Sequence, residues 1–104
     1  MFKLKTTGEI IREQREVKGL LLRQVAAQLD IDVAILSKIE RGERKATREQ
    51  IAKLADILKL NKDNLLIQYL SEKIAYEIAD DDLANEALKV AEERVEYLKA
   101  HKKK

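Results

Sequence analysis

RQVAAQLDIDVAILSKIERG, residues Arg23 to Gly42, decides the fold of this chain. Val25, Ala26 and Leu29 recur at helical spacing, and Ile35, Leu36 and Ile39 do so a few residues later, so the stretch holds two short amphipathic helices. Asp30-Ile31-Asp32 joins them as a tight turn, with Asp32 suited to accept backbone N–H bonds where the second helix begins. Ile31 lies inside the connector and serves as a plug under the turn. Small side chains at Ala26 and Ala27 let the helices cross closely.

Outward from this stretch the start and stop signals are local. Thr6-Thr7-Gly8-Glu9 reads as a capping box. It opens a helix from Thr7 to Lys18 whose inner stripe is Ile10, Ile11, Gln14 and Val17, and Gly19 ends that helix as a left-handed cap. Leu20 plugs the next turn. The two central helices run from Leu22 to Leu29 and from Val33 to Glu40, the latter stopped by Gly42. Thr47-Arg48-Glu49-Gln50 is a second capping box, opening a helix from Arg48 to Leu58 with Ile51, Leu54, Ala55 and Leu58 inward. Asn61 caps a fifth helix, apolar around much of its circumference through Leu65, Leu66, Tyr69, Leu70, Ile74 and Ile78, which reaches Ala79. Asp80-Asp81-Asp82 breaks the chain and favours a new helix start. From Asp82 to Ala100, the residues Ala84, Leu88, Ala91, Val95 and Leu98 follow the 4-3-4-3 spacing of a coiled-coil seam. Lys99 to Lys104 makes the end of the chain positive.

The composition bounds the class. With no Pro, three Gly and few aromatic residues, the chain reads as all-α, and 104 residues make one domain with an appended element. The absence of Cys excludes disulfides and thiolate metal sites. No apolar run approaches a membrane span, and Met1-Phe2-Lys3-Leu4-Lys5 is too short and charged for a signal peptide, so a cytoplasmic protein is expected. Residues 1–48 hold 11 Lys/Arg against 7 Asp/Glu, whereas residues 49–104 hold 10 against 12. The basic half is the one suited to face phosphate.

Two short helices over a tight turn form a helix-turn-helix pattern, and residues 7 to 66 resemble a lambda-repressor-like (XRE-type) helix-turn-helix domain. The resemblance rests on Ile10-Ile11-Arg12 with Arg15, Lys18-Gly19-Leu20, Val25-Ala26 with Leu29, Leu36-Ser37-Lys38-Ile39-Glu40-Arg41-Gly42, and Leu54-Ala55 with Leu58. It implies a DNA-binding transcriptional regulator whose third helix enters the major groove while the second crosses the backbone. It also implies a partly buried ion pair between Arg15 and Glu40 that ties the first helix to the third. Three positions depart from the family pattern. Leu21 stands where a Ser N-cap is usual, Leu22 where a Gln touches phosphate, and Asp30 where a Gly makes the turn.

These readings assign the chemistry. Val33, Ala34, Ser37 and Lys38 lie opposite the core-facing Leu36 and Ile39, so they are the expected base readers. Lys38 suits guanine O6/N7, and Val33 or Ala34 suits a thymine methyl. By the resemblance, Arg41, Arg44, Lys45 and Arg48 follow the sugar-phosphate backbone, and Arg23 replaces the missing Gln as a phosphate contact. The sole His, His101, lies in a charged tail, so no nucleophile–base set can be assembled and an enzyme is not expected. No cofactor is expected either. The expected architecture is a helix-turn-helix domain over residues 1–66 with a two-helix dimerisation extension over 67–104, the whole binding double-stranded DNA as a homodimer. By resemblance, the regulator is a repressor or a controller of a restriction–modification operon. The alternative is a protein-interaction module, an antitoxin or adaptor, that keeps the fold and meets its partner through Leu21 and Leu22.

Overall fold

The computed structural model describes residues 4–102, whose regular structure consists of six helices: α1 Thr7–Val17, α2 Leu22–Leu29, α3 Val33–Glu40, α4 Arg48–Leu58, α5 Lys62–Ile78 and α6 Ala84–Ala100. Met1 to Lys3, and the last two lysines of the positive C-terminal run, lie outside the described residues. None of these helices is long and apolar enough to cross a membrane.

Both sequence-predicted capping boxes form. Thr6 Oγ1 accepts from the Glu9 N–H at 3.0 Å, and Glu9 Oε1 accepts from the Thr6 N–H at 2.9 Å. Thr47 and Gln50 exchange the same two bonds at 3.1 and 2.9 Å. Asn61 Oδ1 accepts from the Asn64 N–H at 2.8 Å and so starts α5. Asp32 occupies the N-cap of α3, but its carboxylate accepts no capping bond. Its main-chain carbonyl takes the first helical bonds, from Ile35 and Leu36, as at any N-cap.

The first four helices end in one backbone device. A residue in the left-handed conformation follows each: Gly19 (φ 68°), Asp30 (φ 60°), Gly42 (φ 77°) and Lys59 (φ 59°). The N–H of the next residue then reaches back five positions, from Leu20 to Arg15, Ile31 to Ala26, Glu43 to Lys38 and Leu60 to Ala55, at 2.8–3.0 Å. These are Schellman motifs, and their usual apolar contact is present at Leu20, Ile31 and Leu60, which pack against the core. Asp30 adopts the conformation for which the family pattern places a Gly. A short polar side chain tolerates it better than most residues do.

The core of the first unit is contributed by α1 to α5 and one loop residue: Ile11, Val25, Ala26, Leu29, Leu36, Ile39, Ala46, Ile51, Leu54, Ala55, Leu58, Leu65, Leu66 and Tyr69. Val17, expected inward, is 79% exposed. The inner face of α1 carries Thr7, Gly8, Ile11 and Arg15. Val17 lies six residues from Ile11, about 120° around the helix from that face. Gly8 explains the rotation. A Cβ at this position would lie 2.5 Å from the carbonyl oxygens of both Ile39 and Glu40, so the start of α1 presses against the main chain at the end of α3.

The chain divides into two units, one ending at Lys73 and the other beginning at Ile74. The division lies inside α5, beyond the boundary expected after residue 66. The first turns of α5 remain with the helix-turn-helix unit because Leu65, Leu66 and Tyr69 are buried there. Gln68 Nε2 also donates to the Lys5 carbonyl at 3.0 Å, and Glu72 accepts from the Thr7 N–H. In the second unit α6 starts at Ala84 rather than Asp82. Asp81 organises the turn before it, its Oδ1 accepting from the Leu83 N–H at 2.8 Å. No residue of α6 is buried.

Replacing Gly8 with Ala forces a methyl against two main-chain oxygens, which cannot swing aside as a side chain would. The substitution is expected to cost about 1–3 kcal/mol in urea unfolding, the usual range for overpacking. An unchanged midpoint would mean that α1 and α3 do not meet this closely.

Candidate nucleic-acid interface

α3 presents its outer side through Val33, Ala34 and Lys38, all exposed, while Leu36 and Ile39 are buried. Val33, at 40% exposure, and Ala34 leave an apolar edge at the helix start with Lys38 one turn on. Ser37 is half-buried, and its hydroxyl accepts from Arg41 Nη1 at 2.9 Å. The structure therefore links one expected base reader to one expected phosphate contact. Arg41 is further held by Glu43, with Nε and Nη2 donating to its two carboxylate oxygens at 3.2 and 3.1 Å.

The other expected phosphate contacts are differently placed. Arg44 and Lys45 lie in the loop between α3 and α4, Arg48 opens α4 and Arg23 lies in the first turn of α2. All four are exposed and form no ion pair among the described residues. Four exposed cations outside any ion pair among the described residues are available to an external anion. Arg41 must first give up Glu43.

The start of α2 is unusual. Gln24 Oε1 accepts from the Leu21 N–H at 2.7 Å, the returning half of a capping box, but Leu21 has no oxygen to complete it. Leu21 is 47% exposed, whereas Leu22 turns in and packs against the core.

α3 is fixed against α1 by the pair that the resemblance implied. Arg15 and Glu40 are only 9% and 6% exposed. Arg15 Nε and Nη2 donate to the two carboxylate oxygens of Glu40 at 2.7 and 3.1 Å, and Nη1 donates to the Leu20 carbonyl at 2.9 Å. The guanidinium thus ties together α1, the end of α3 and the turn into α2. Hydrogen bonding to Glu40 raises the Arg15 pKa above its ordinary value, against the opposing effect of burial. A raised base contributes stability that is lost only as the pH climbs through the raised value, so the guanidinium keeps its charge at any ordinary pH. Gly8, which lets α1 approach α3, is the contributor to this geometry that sequence reasoning missed. Its only signal was a poor helix former placed in the first turn of a well-capped helix.

Two short helices held at a fixed angle across a tight turn, the second with a free outer side beside a basic loop, form a helix-turn-helix. The helix-turn-helix family model matches residues 11–65, more than half of the chain, and the chain belongs to that family. Over 58 residues it is 40% identical to YazB, an uncharacterized HTH-type transcriptional regulator of Bacillus subtilis, covering 56% of this chain and 84% of that protein. Over 60 residues it is 38% identical to RghRB, a second such regulator of Bacillus subtilis, covering 57% of this chain and 43% of that one. A stretch of 61 residues is 31% identical to an uncharacterized HTH-type transcriptional regulator of Mycobacterium tuberculosis, covering 59% of this chain and 44% of that protein. The chain thus spans less than half the length of the latter two.

Replacing Arg15 with Met, or Glu40 with Leu, leaves the partner charge buried and is expected to cost about 3–5 kcal/mol. The double replacement should restore much of that loss, and a double-mutant cycle in urea would read the coupling directly. Strict additivity would contradict the bidentate contact.

Proposed function

We propose that the protein is a sequence-specific, cytoplasmic DNA-binding regulator that acts as a homodimer, a repressor or operon controller. The observation that carries the reading is the free outer side of α3 adjoining Arg44, Lys45 and Arg48, cations with no partner among the described residues. Val33, Ala34, Ser37 and Lys38 read base edges in the major groove. Arg23, Arg44, Lys45 and Arg48 contact phosphates, joined by Arg41 once it leaves Glu43. Phosphate contacts set affinity and register, and base contacts set preference.

The dimer reading rests on the second unit. A 17-residue helix without a buried residue lacks the tertiary packing from which most helical stability in proteins comes. Ile74, Leu88, Ala91 and Val95 line an open groove of about 600 Å³ along its apolar seam. A second copy supplies the cover, and a two-fold dimer would set two α3 helices about 34 Å apart on a roughly palindromic site. Substituting Leu88 and Val95 together with Glu should convert a sedimenting dimer to a monomer and leave the fold of the first unit intact. A wild-type monomer at micromolar concentration would remove the dimer from the reading.

A second reading is favoured by one observation, the exposed Leu21 at an incompletely capped helix start. It gives this end of α2 to a protein partner in place of DNA.

Salt titration on specific and random duplexes separates the two. Arg44→Ala or Lys45→Ala should weaken binding to all sequences alike and lower the salt slope by about one for each phosphate no longer neutralised. Lys38→Ala should cost about 1–3 kcal/mol on the preferred site and relax the preference at one base pair. Should the wild type bind neither duplex at low salt, the DNA reading falls and the Leu21 reading takes its place.

A further inference from the structure

Resting on the DNA reading above, we infer that Tyr69 of α5 is a positioning residue for phosphate binding, holding the basic loop that follows α3 in its DNA-facing shape. The loop between α3 and α4 is anchored at three points. Glu43 N–H bonds the Lys38 carbonyl at 2.8 Å, which fixes the exit from α3, and the Thr47 capping box fixes the entry to α4. The third anchor comes from far along the chain. Tyr69 Oη donates to the Ala46 carbonyl at 2.7 Å, a buried bond spanning 23 residues.

Ala46 is the only buried residue between Gly42 and Thr47, and its neighbours Arg44 and Lys45 are exposed. The loop's one apolar plug and its one bond to a distant element therefore coincide next to the two cations. Without that bond, the loop carrying Arg44 and Lys45 would be held between its two ends by the packing of Ala46 alone, and ordering it on DNA would consume part of the binding energy. Tyr69 is itself 9% exposed, and Lys73 Nζ stands 5.3 Å from its ring centroid. Core packing and the cation one turn on together hold the ring in place. The family match stops at residue 65, before Tyr69, so this anchor belongs to the part of α5 that the matched segment does not contain.

The test compares the full chain with Tyr69→Phe, which keeps the ring and removes the hydroxyl. Affinity for a random duplex at low salt is expected to fall about three- to tenfold, with a shallower salt slope. A general loss of stability could also weaken binding, so two controls are included. Gln68→Ala removes the neighbouring bond from α5 to Lys5 without touching the loop, and it should leave affinity and slope at the wild-type values. In an Arg44→Ala/Lys45→Ala background, Tyr69→Phe should have no further effect, because the side chains it positions are gone. An undiminished effect in that background, or a wild-type slope in Tyr69→Phe, overturns the positioning role while the DNA reading stands. In the free protein, ¹⁵N relaxation should show Arg44 to Ala46 more mobile in Tyr69→Phe, and an unchanged loop would overturn the inference whatever the duplex result. A wild type that binds no duplex would defeat the DNA reading and this inference with it.

Discussion

The bidentate contact between Arg15 and Glu40 is the constraint on which the rest of the domain depends. α3 has eight residues and only two apolar side chains fully turned to the core, too few to hold one angle unaided. The guanidinium fork supplies direction as well as attraction, since two parallel bonds to one carboxylate admit a single relative orientation. A third bond, to the Leu20 carbonyl, carries that orientation to the entry of α2. Beside it, Gly8 brings the main chains of α1 and α3 to van der Waals limits. Burying two charges is expensive, and a hydrophobic pair would hold the helices at least as strongly. What the ions add is geometry at α3, the helix proposed to enter the groove.

The helices on either side of the turn, and the one after the basic loop, were legible to the residue. The bounds of α2, α3 and α4 needed only local chemistry: a turn between apolar patterns, a Gly after Arg41, a Thr-x-x-Gln box before Ile51. Periodicity alone misled at α1. Val17 fits an apolar stripe beginning at Ile10, but the buried face includes Gly8 and Arg15, residues that hydropathy assigns outward. What turned the helix was the partner across from it. A close approach between segments as distant in sequence as Gly8 and Glu40 leaves no trace in either one's pattern. Asp32 sits at the N-cap of α3 as expected, but its carboxylate makes no capping bond.

The candidate interface was partly legible for a similar reason. Residues opposite buried ones on a short helix must face outward, so Val33, Ala34 and Lys38 followed from Leu36 and Ile39. That Arg41 would be occupied by Ser37 and Glu43 did not follow, because side-chain pairing on an exposed surface depends on rotamers that spacing does not determine. The reach of Tyr69 to Ala46 was equally hidden. In the sequence it belonged to the apolar circumference of α5, within the extension expected to dimerise, and a tyrosine's hydroxyl gives no sequence hint of its acceptor.

The repeated helix exit has a consequence for how this domain tolerates change. Four turns use one hydrogen-bond pattern, but only two place a glycine in the left-handed position. At Lys59 an ordinary side chain is held where L-residues carry a steric penalty of about 1–2 kcal/mol, and at Asp30 a short polar one that bears less of it. Only part of that is recoverable, because a glycine would also loosen the unfolded chain. Lys59 in particular lies at the end of α4, away from the residues assigned to DNA. The fold therefore sits below the stability its own backbone allows, and drift at these two codons can move its lifetime up or down without altering what the outer side of α3 presents.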